Sequence, residues 1–154
     1  EIVLGLEPSL GDRYAAVAGA VLEQLPATPA NALTATHGDV KGDNLIIDHG
    51  RVVFLDLDRA ARADPALDLG KLLADLRWRS GGTGAGDQLR MDALAVGYGR
   101  TDPSCWRRAR LLAVLFQLKL AARRTLIHEP DWSGRIAASI GAAEQALRRE
   151  RTAA

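Results

Sequence analysis

The stretch from Thr36 to Asp68, THGDVKGDNLIIDHGRVVFLDLDRAARADPALD, constrains this chain most. Two apolar runs, Leu45-Ile46-Ile47 and Val52-Val53-Phe54-Leu55, flank Asp48-His49-Gly50-Arg51. Such runs read as strands. His49-Gly50 between them predicts a tight hairpin, because Gly supplies the positive φ that short hairpin turns need. Folding the chain about His49-Gly50 lays Asn44 almost opposite Asp56. Both then reach the open end of the hairpin, beside Asp39 in a short Gly-containing loop. Hard oxygen donors converging in this way suit Mg²⁺, which takes few ligands from protein and completes its shell with water and phosphate oxygens.

The flanking segments read mainly as helix. Residues 9–25 carry Tyr14, Val17, Ala18, Val21, Leu22 and Leu25 at helical spacing, with Ser9 or Asp12 as the expected cap and Pro26 and Pro29 as the stop. Leu33 to Thr36 predicts a short strand leading into the loop. Asp64-Pro65 opens the next helix, with Asp as the cap and Pro at the first helical position. Leu67, Leu69, Leu72, Leu73 and Leu76 form its expected buried surface. Gly81, Gly82, Gly84 and Gly86 mark a loop rather than a phosphate cradle, since no Gly-Lys-Ser/Thr follows and no apolar strand precedes. Helices are expected over 87–98, from Pro103 to His128, and from Gly134 to Arg149, with a break at Pro130. Trp78, Trp106 and Trp132 read as packing residues.

A chain of 154 residues predicts one domain, 1–154, large enough to bury a core. No apolar run approaches a membrane span and no signal-peptide pattern opens the sequence. The single cysteine, Cys105, excludes an intramolecular disulfide and fits a reducing, cytoplasmic setting. Charge is split. Residues 1–100 hold 10 Lys/Arg and 14 Asp/Glu, whereas 101–154 hold 10 and 5. The basic last third reads as solvated helix faces, or else as a surface that meets phosphate or an anionic substrate.

His37-Gly38-Asp39, followed by Asn44 and by Asp56 at the end of the next strand, resembles the catalytic core of kinase-like phosphotransferases. With Gly after His, and with Asp64-Pro65-Ala66-Leu67-Asp68-Leu69 downstream, it is similar to the aminoglycoside phosphotransferase and choline kinase group. Protein kinases usually carry Arg in that place. The resemblance implies an α+β, mostly helical fold: the C-terminal lobe of the protein-kinase-like fold, with a β-hairpin carrying the catalytic and metal residues. It implies an ATP- and Mg²⁺-dependent transfer to a hydroxyl of a small molecule. No activation segment is evident between Asp56 and Asp64, which favours a small molecule over a protein, and neither nucleic acid nor membrane is implied as a partner.

The resemblance also implies roles. Asp39 would be the catalytic base, aligning the attacking hydroxyl, and Lys41 would stabilise charge near the transferred phosphate. Asn44 and Asp56 would hold Mg²⁺ and, through it, the nucleotide. His37 would tie the loop backbone, and Asp68 would reach back to hold it. Each has a plainer counterpart: a turn-forming Asp, an exposed Lys, hairpin-edge polarity, a first-turn Asp favouring the helix dipole. Asp58 is ambiguous between assisting the metal and pairing with Arg59 or Arg62, and Asp43, His49 and His128 carry no functional assignment. The family fold has a second, β-rich lobe ahead of this motif, yet only 36 residues precede His37 and they read mainly as helix. The expectation is a C-terminal lobe alone, which needs an N-terminal lobe or its equivalent as partner and is inactive by itself. Two other classes compete. One is a catalytically silent kinase-like binding or regulatory module. The other is a metallophosphoesterase, suggested by Gly38-Asp39 and Gly42-Asp43-Asn44 but short of His ligands. Polycationic aminoglycosides prefer acidic walls, so the basic last third disfavours them if its charges face the cleft.

Overall fold

The computed structural model describes residues 7–80, 85–99, 102–125 and 130–152. The described chain is mostly helical, with two small antiparallel sheets. Its helices are α1 (Pro8–Gln24), α2 (Ala66–Arg79), α3 (Ala85–Tyr98), α4 (Pro103–Arg124) and α5 (Trp132–Thr152), and its strands are β1 (Thr34–Thr36), β2 (Leu45–Asp48), β3 (Arg51–Phe54) and β4 (Ala61–Ala63).

Helix α4 is the hub, because it is apolar around most of its circumference and buries two faces. Leu111, Val114 and Leu118 pack with Val17 and Val21 of α1 and with Ile136, Ile140 and Leu147 of α5. On the other side Cys105, Ala109, Leu112 and Ala113 pack against Leu69 and Leu73 of α2. Fully burying each large aliphatic side chain stabilises by about 1.5–3 kcal/mol. Gly70 sets how closely α2 approaches α4. A Cβ there would lie 2.8 Å from the Ala109 carbonyl oxygen and 2.9 Å from Leu112 Cβ. The consequence is functional: α2 is pinned by its apolar face, so its polar face is fixed toward the loop after β1.

A second clamp fixes where α2 starts. The Asp64 carboxylate accepts the Ala66 N–H at 2.9 Å, the Asn31 amide at 2.8 Å and Arg108 Nε at 2.7 Å. Arg108 also donates to the carbonyls of Leu25 and Thr28. Asp64 thus bonds the first N–H of α2, which begins at Ala66, one residue later than the Asp-Pro step predicts, with Pro65 in the cap position, and it also ties the connector after α1 to α4.

Several boundaries and faces differ from the sequence expectation. No side chain caps α1; Pro8 sits in its first turn, and the Ser9 hydroxyl bonds Glu7 instead. Leu22 and Leu67 are 59% and 37% exposed, because the packed stripes of α1 and α2 are narrower than their apolar patterns. The strand before the loop starts at Thr34 and leaves Leu33 exposed. Gly86 lies in α3, while Gly81, Gly82 and Gly84 lie outside the described residues, as does His128. Helix α4 ends at Arg124, with Thr125 extended. Trp106 meets Tyr98 edge-on at 6.0 Å, and Trp132 packs on the core of α1, α4 and α5. Among the described residues, no helix is long and apolar enough to cross a membrane.

Candidate active site

The site is built where two short ladders bracket the same pair of segments. Strand β1 pairs antiparallel with β4, Thr34 opposite Ala63 and Thr36 opposite Ala61. Strand β2 pairs with β3, Leu45 opposite Phe54 and Asp48 opposite Arg51. The hairpin turn has positive φ at both central residues, 45° at His49 and 78° at Gly50, matching the right-handed twist of the strands. Residues 37–44 leave β1 and enter β2, while 55–60 leave β3 and enter β4, so the two segments face each other. Leu55 N–H donates to the Asn44 carbonyl at 2.9 Å, and the Thr36 hydroxyl to the Ala61 carbonyl at 2.9 Å.

Backbone geometry at two residues completes the bracket. Gly38 has φ 76°, and any Cβ there would collide with the Arg59 carbonyl. Glycine is therefore required on both counts. Asp56 adopts φ 61°, ψ 62°, a left-handed conformation costly for a residue with a side chain. That turn directs the Asp56 carboxylate back toward the loop, with Oδ2 3.5 Å from Asn44 Nδ2.

One stripe of α2 then holds the loop nearly residue by residue. Asp68 accepts the N–H groups of His37 at 2.6 Å and Gly38 at 2.9 Å. Lys71 donates to the Asp39 carboxylate and lies 3.5 Å from the Gly38 carbonyl. Asp75 accepts the Gly42 N–H at 2.9 Å, and Arg79 links Asp75 to Asp43. From the other side His37 Nε2 bonds the Leu55 carbonyl at 2.9 Å while its Nδ1 accepts the Asp39 N–H at 3.3 Å. With both ring nitrogens engaged on backbone, His37 ties the loop to the segment after β3.

Asp39 sits at the centre, half-buried. Lys41 Nζ lies 2.8 Å from its Oδ2, and Lys71 engages Oδ1. Burial alone would push its carboxyl up. The hydrogen bonds and charges of Lys41 and Lys71 outweigh that and hold it far below the usual carboxylate range. Asn44 is buried, and its Nδ2 donates to the Asp39 carbonyl at 3.0 Å, within 3.4 Å of Asp39 Oδ2. Asp39, Asn44 and Asp56 thus share one edge of the cleft. Asp58 is exposed on the turn of Leu57–Arg59, and no ion pair joins it to Arg59 or Arg62. His49 is exposed at the hairpin tip, 3.6 Å from Asp48.

Lys71, Asp75 and Arg79 were not singled out from the sequence. Their signal is the spacing from Asp68: +3, +7 and +11 place all four on one face of a helix. A charged stripe opposite a leucine stripe reads as solvated until something is known to pack on it.

The site is thus a loop carboxylate braced by two lysines, with an amide and a second carboxylate across the hairpin mouth. The sequence profile of the phosphotransferase enzyme family (APH) matches residues 3–112, well over half of the chain, and the chain belongs to that family. Among solved structures it is similar to a choline/ethanolamine kinase family protein from Mesorhizobium loti, at 22% identity and a TM-score of 0.46. That likeness covers 88% of this chain and 50% of the other, so the chain spans about half the length of that protein. No curated protein matches the chain.

Proposed function

We propose that this chain carries the catalytic half of an ATP- and Mg²⁺-dependent kinase of a small-molecule alcohol. The observation that supports it is the convergence of Asp39, Lys41, Lys71, Asn44 and Asp56 on one cleft edge. Among the described residues, no three His, Cys, Asp or Glu side chains form a self-sufficient metal cage. A carboxylate and an amide that rely on phosphate and water oxygens suit Mg²⁺. Asn44 fits as one ligand: its nitrogen is held by the Asp39 carbonyl, which leaves Oδ1 for a cation. Asp56 would supply the second. The ion, when bound, neutralises phosphate charge.

The chain's own groups would act as follows. Asp39 accepts a hydrogen bond from the acceptor hydroxyl and aligns its oxygen with the γ-phosphorus. An O–P bond forms, the bond from phosphorus to the bridging oxygen of ADP breaks, and the hydroxyl proton passes to Asp39. A carboxylate held so far below its usual range is a weak base. Its main work is therefore orientation, with the proton accepted late, as a loose transition state allows. Lys41 and Lys71 are placed to exchange part of their contact with Asp39 for the moving phosphoryl oxygens. His37 and Asp68 keep the loop rigid.

The hairpin is apolar and exposed: Ile47 is 77% exposed, Val52 53% and Phe54 51%. It is the surface on which a cover for the nucleotide, from an N-terminal lobe or its equivalent, would close. Positioning supplies most of the rate in this chemistry, so residues 1–154 alone should bind ATP weakly and transfer little phosphate. The second reading, a catalytically silent module that docks a partner through this hairpin, draws on the same exposure.

Kinetics of the protein with its nucleotide cover in place separate the two. Asp39→Ala should lower turnover by about two orders of magnitude or more with nucleotide affinity nearly intact. Asp56→Ala should remove Mg²⁺-dependent nucleotide binding. Equal and mild effects of both changes would favour the silent module.

A further inference from the structure

Beside Asp39 lies a cavity of about 360 Å³. Asp39 lines it, whereas neither Asn44 nor Asp56 does. Asp39 therefore borders both the hairpin mouth, where metal and nucleotide are assigned, and this chamber. One wall of that chamber is the loop and α2; the other is the last two turns of α4, with Phe116 and Leu120 as its apolar part. The volume suits a small molecule.

The chamber's charge is lopsided. Lys41, Arg59, Lys71, Lys119, Arg123 and Arg124 line it against two carboxylates, Asp39 and Asp75. Both carboxylates are already engaged by cations of the protein. Asp39 holds Lys41 and Lys71; Asp75 holds Arg79 and Arg124 as well as the Gly42 N–H. Among the described residues, no ion pair to a carboxylate engages Arg59, Lys119 or Arg123. Among the described residues, a cationic acceptor would find no spare carboxylate on this lining. Among the described residues Phe116 is the one aromatic ring on the lining, so they offer a quaternary ammonium no aromatic cage. An anionic group would find Arg59, Lys119 and Arg123 on the same lining as Asp39, where charge-assisted hydrogen bonds are strong.

We infer that the acceptor is a small anionic alcohol, a hydroxyl compound bearing a carboxylate or a phosphate, whose anionic end is held by Arg123, Lys119 and Arg59 while its hydroxyl reaches Asp39. This rests on the phosphotransferase reading and deepens it. The phosphoryl group moves to that hydroxyl as described above, with ATP as donor and the proton passing to Asp39, so the product is a more highly charged phosphate ester.

The test uses four probes that share a small hydroxyl frame: D-glycerate, glycerol 3-phosphate, glycerol and choline. Calorimetric titration of the full chain at low ionic strength should show binding of at least one of the two anions, with glycerol and choline weaker by about tenfold or more. The better of the two anions tells carboxylate from phosphate. Lys119→Ala/Arg123→Ala should weaken anion binding by about 10–100-fold, from the loss of charge-assisted bonds. In turnover it should raise the acceptor KM while the KM for ATP stays put. Arg123→Glu should go further and narrow or reverse the gap to choline. Both side chains are exposed, so folding is expected to survive, and helical circular dichroism checks it. Preferential binding of choline or glycerol, no binding of either anion, or anion binding indifferent to the Lys119 and Arg123 changes would overturn the inference. Phosphate transfer to choline would overturn it and leave the phosphotransferase reading standing. Anion binding that depends on Arg123, with no transfer from Mg-ATP to any acceptor once the nucleotide cover is in place, would overturn the phosphotransferase reading and with it the acceptor role, and leave an anion site alone.

Discussion

At the scale of single residues, Asp39 and Gly38 carry the sharpest consequences. The Asp39 carboxyl is held down by two lysines, one from its own loop and one from α2. Lys71→Ala removes one of them and should move the Asp39 carboxyl upward toward the ordinary carboxylate range. Carbon-detected NMR titration of Asp39 reads this directly, and an unmoved titration would mean that Lys71 is not the partner described. Gly38 is fixed by two independent constraints, a positive φ and the Arg59 carbonyl against its α-carbon. Gly38→Ala should lower stability by about 2–4 kcal/mol, combining left-handed strain with overpacking against backbone. Urea denaturation measures it. A loss below about 0.5 kcal/mol, the range of neutral surface changes, would show that the loop relaxes freely.

At the scale of elements, α2 links packing to chemistry. Its leucines and Gly70 seat it on α4, and that seating delivers Asp68, Lys71, Asp75 and Arg79 to the loop. Its register depends on the Asp64 clamp. Burial by itself would raise the Asp64 carboxyl; bonds from Asn31, the Ala66 N–H and Arg108 prevail and hold it below its ordinary value. A carboxyl depressed in the folded state contributes stability that is fully present above its unfolded pKa, near 4. That contribution is lost as pH falls through the lower folded value. The urea midpoint should therefore fall below about pH 4, and more gently in Asp64→Asn, which cannot titrate there. At pH 7 Asp64→Ala should cost about 3 kcal/mol, because it leaves Arg108 charged and half-buried without its carboxylate. An acid limb with the same slope in Asp64→Asn as in the parent would remove Asp64 from the account.

At the scale of the whole molecule, the helices bury their apolar stripes and the hairpin does not. Ile46, Ile47, Val52, Val53, Phe54, Leu55 and Leu57 are each at least 40% exposed, along the two-stranded ribbon and the segment that follows it. A contiguous apolar patch of this kind promotes association in water. Residues 1–154 should therefore self-associate as concentration rises in sedimentation velocity, and Ile47→Lys/Val52→Glu should shift the distribution to monomer with unchanged helical circular dichroism. A monomer at all concentrations in the parent chain would show that the ribbon is covered in solution.

The sequence by itself determined the parts whose cause is local. Gly50 and the β-branched runs specify the hairpin, which carries Asn44 and Asp56 to its mouth, and Asp64-Pro65 marks the start of α2 to within one residue. His37-Gly38-Asp39 with Asn44, Asp56 and residues 64–69, in that order and spacing, was enough to indicate the family. What only the tertiary structure decided were the contacts made by groups far apart in the chain. Lys71 and Asp75 reach the loop because Gly70 lets α2 settle closely on α4, a distance that no helical pattern encodes. Leu22 and Leu67 match the apolar spacing yet stay exposed, because a stripe is buried only as widely as its neighbour covers it. The basic residues at the end of α4 read as solvated from sequence, since a cation on a helix face is ordinarily hydrated. The packing of α4 on α2 brings Lys119 and Arg123 to the same cavity as Asp39, a proximity across the fold that composition does not encode.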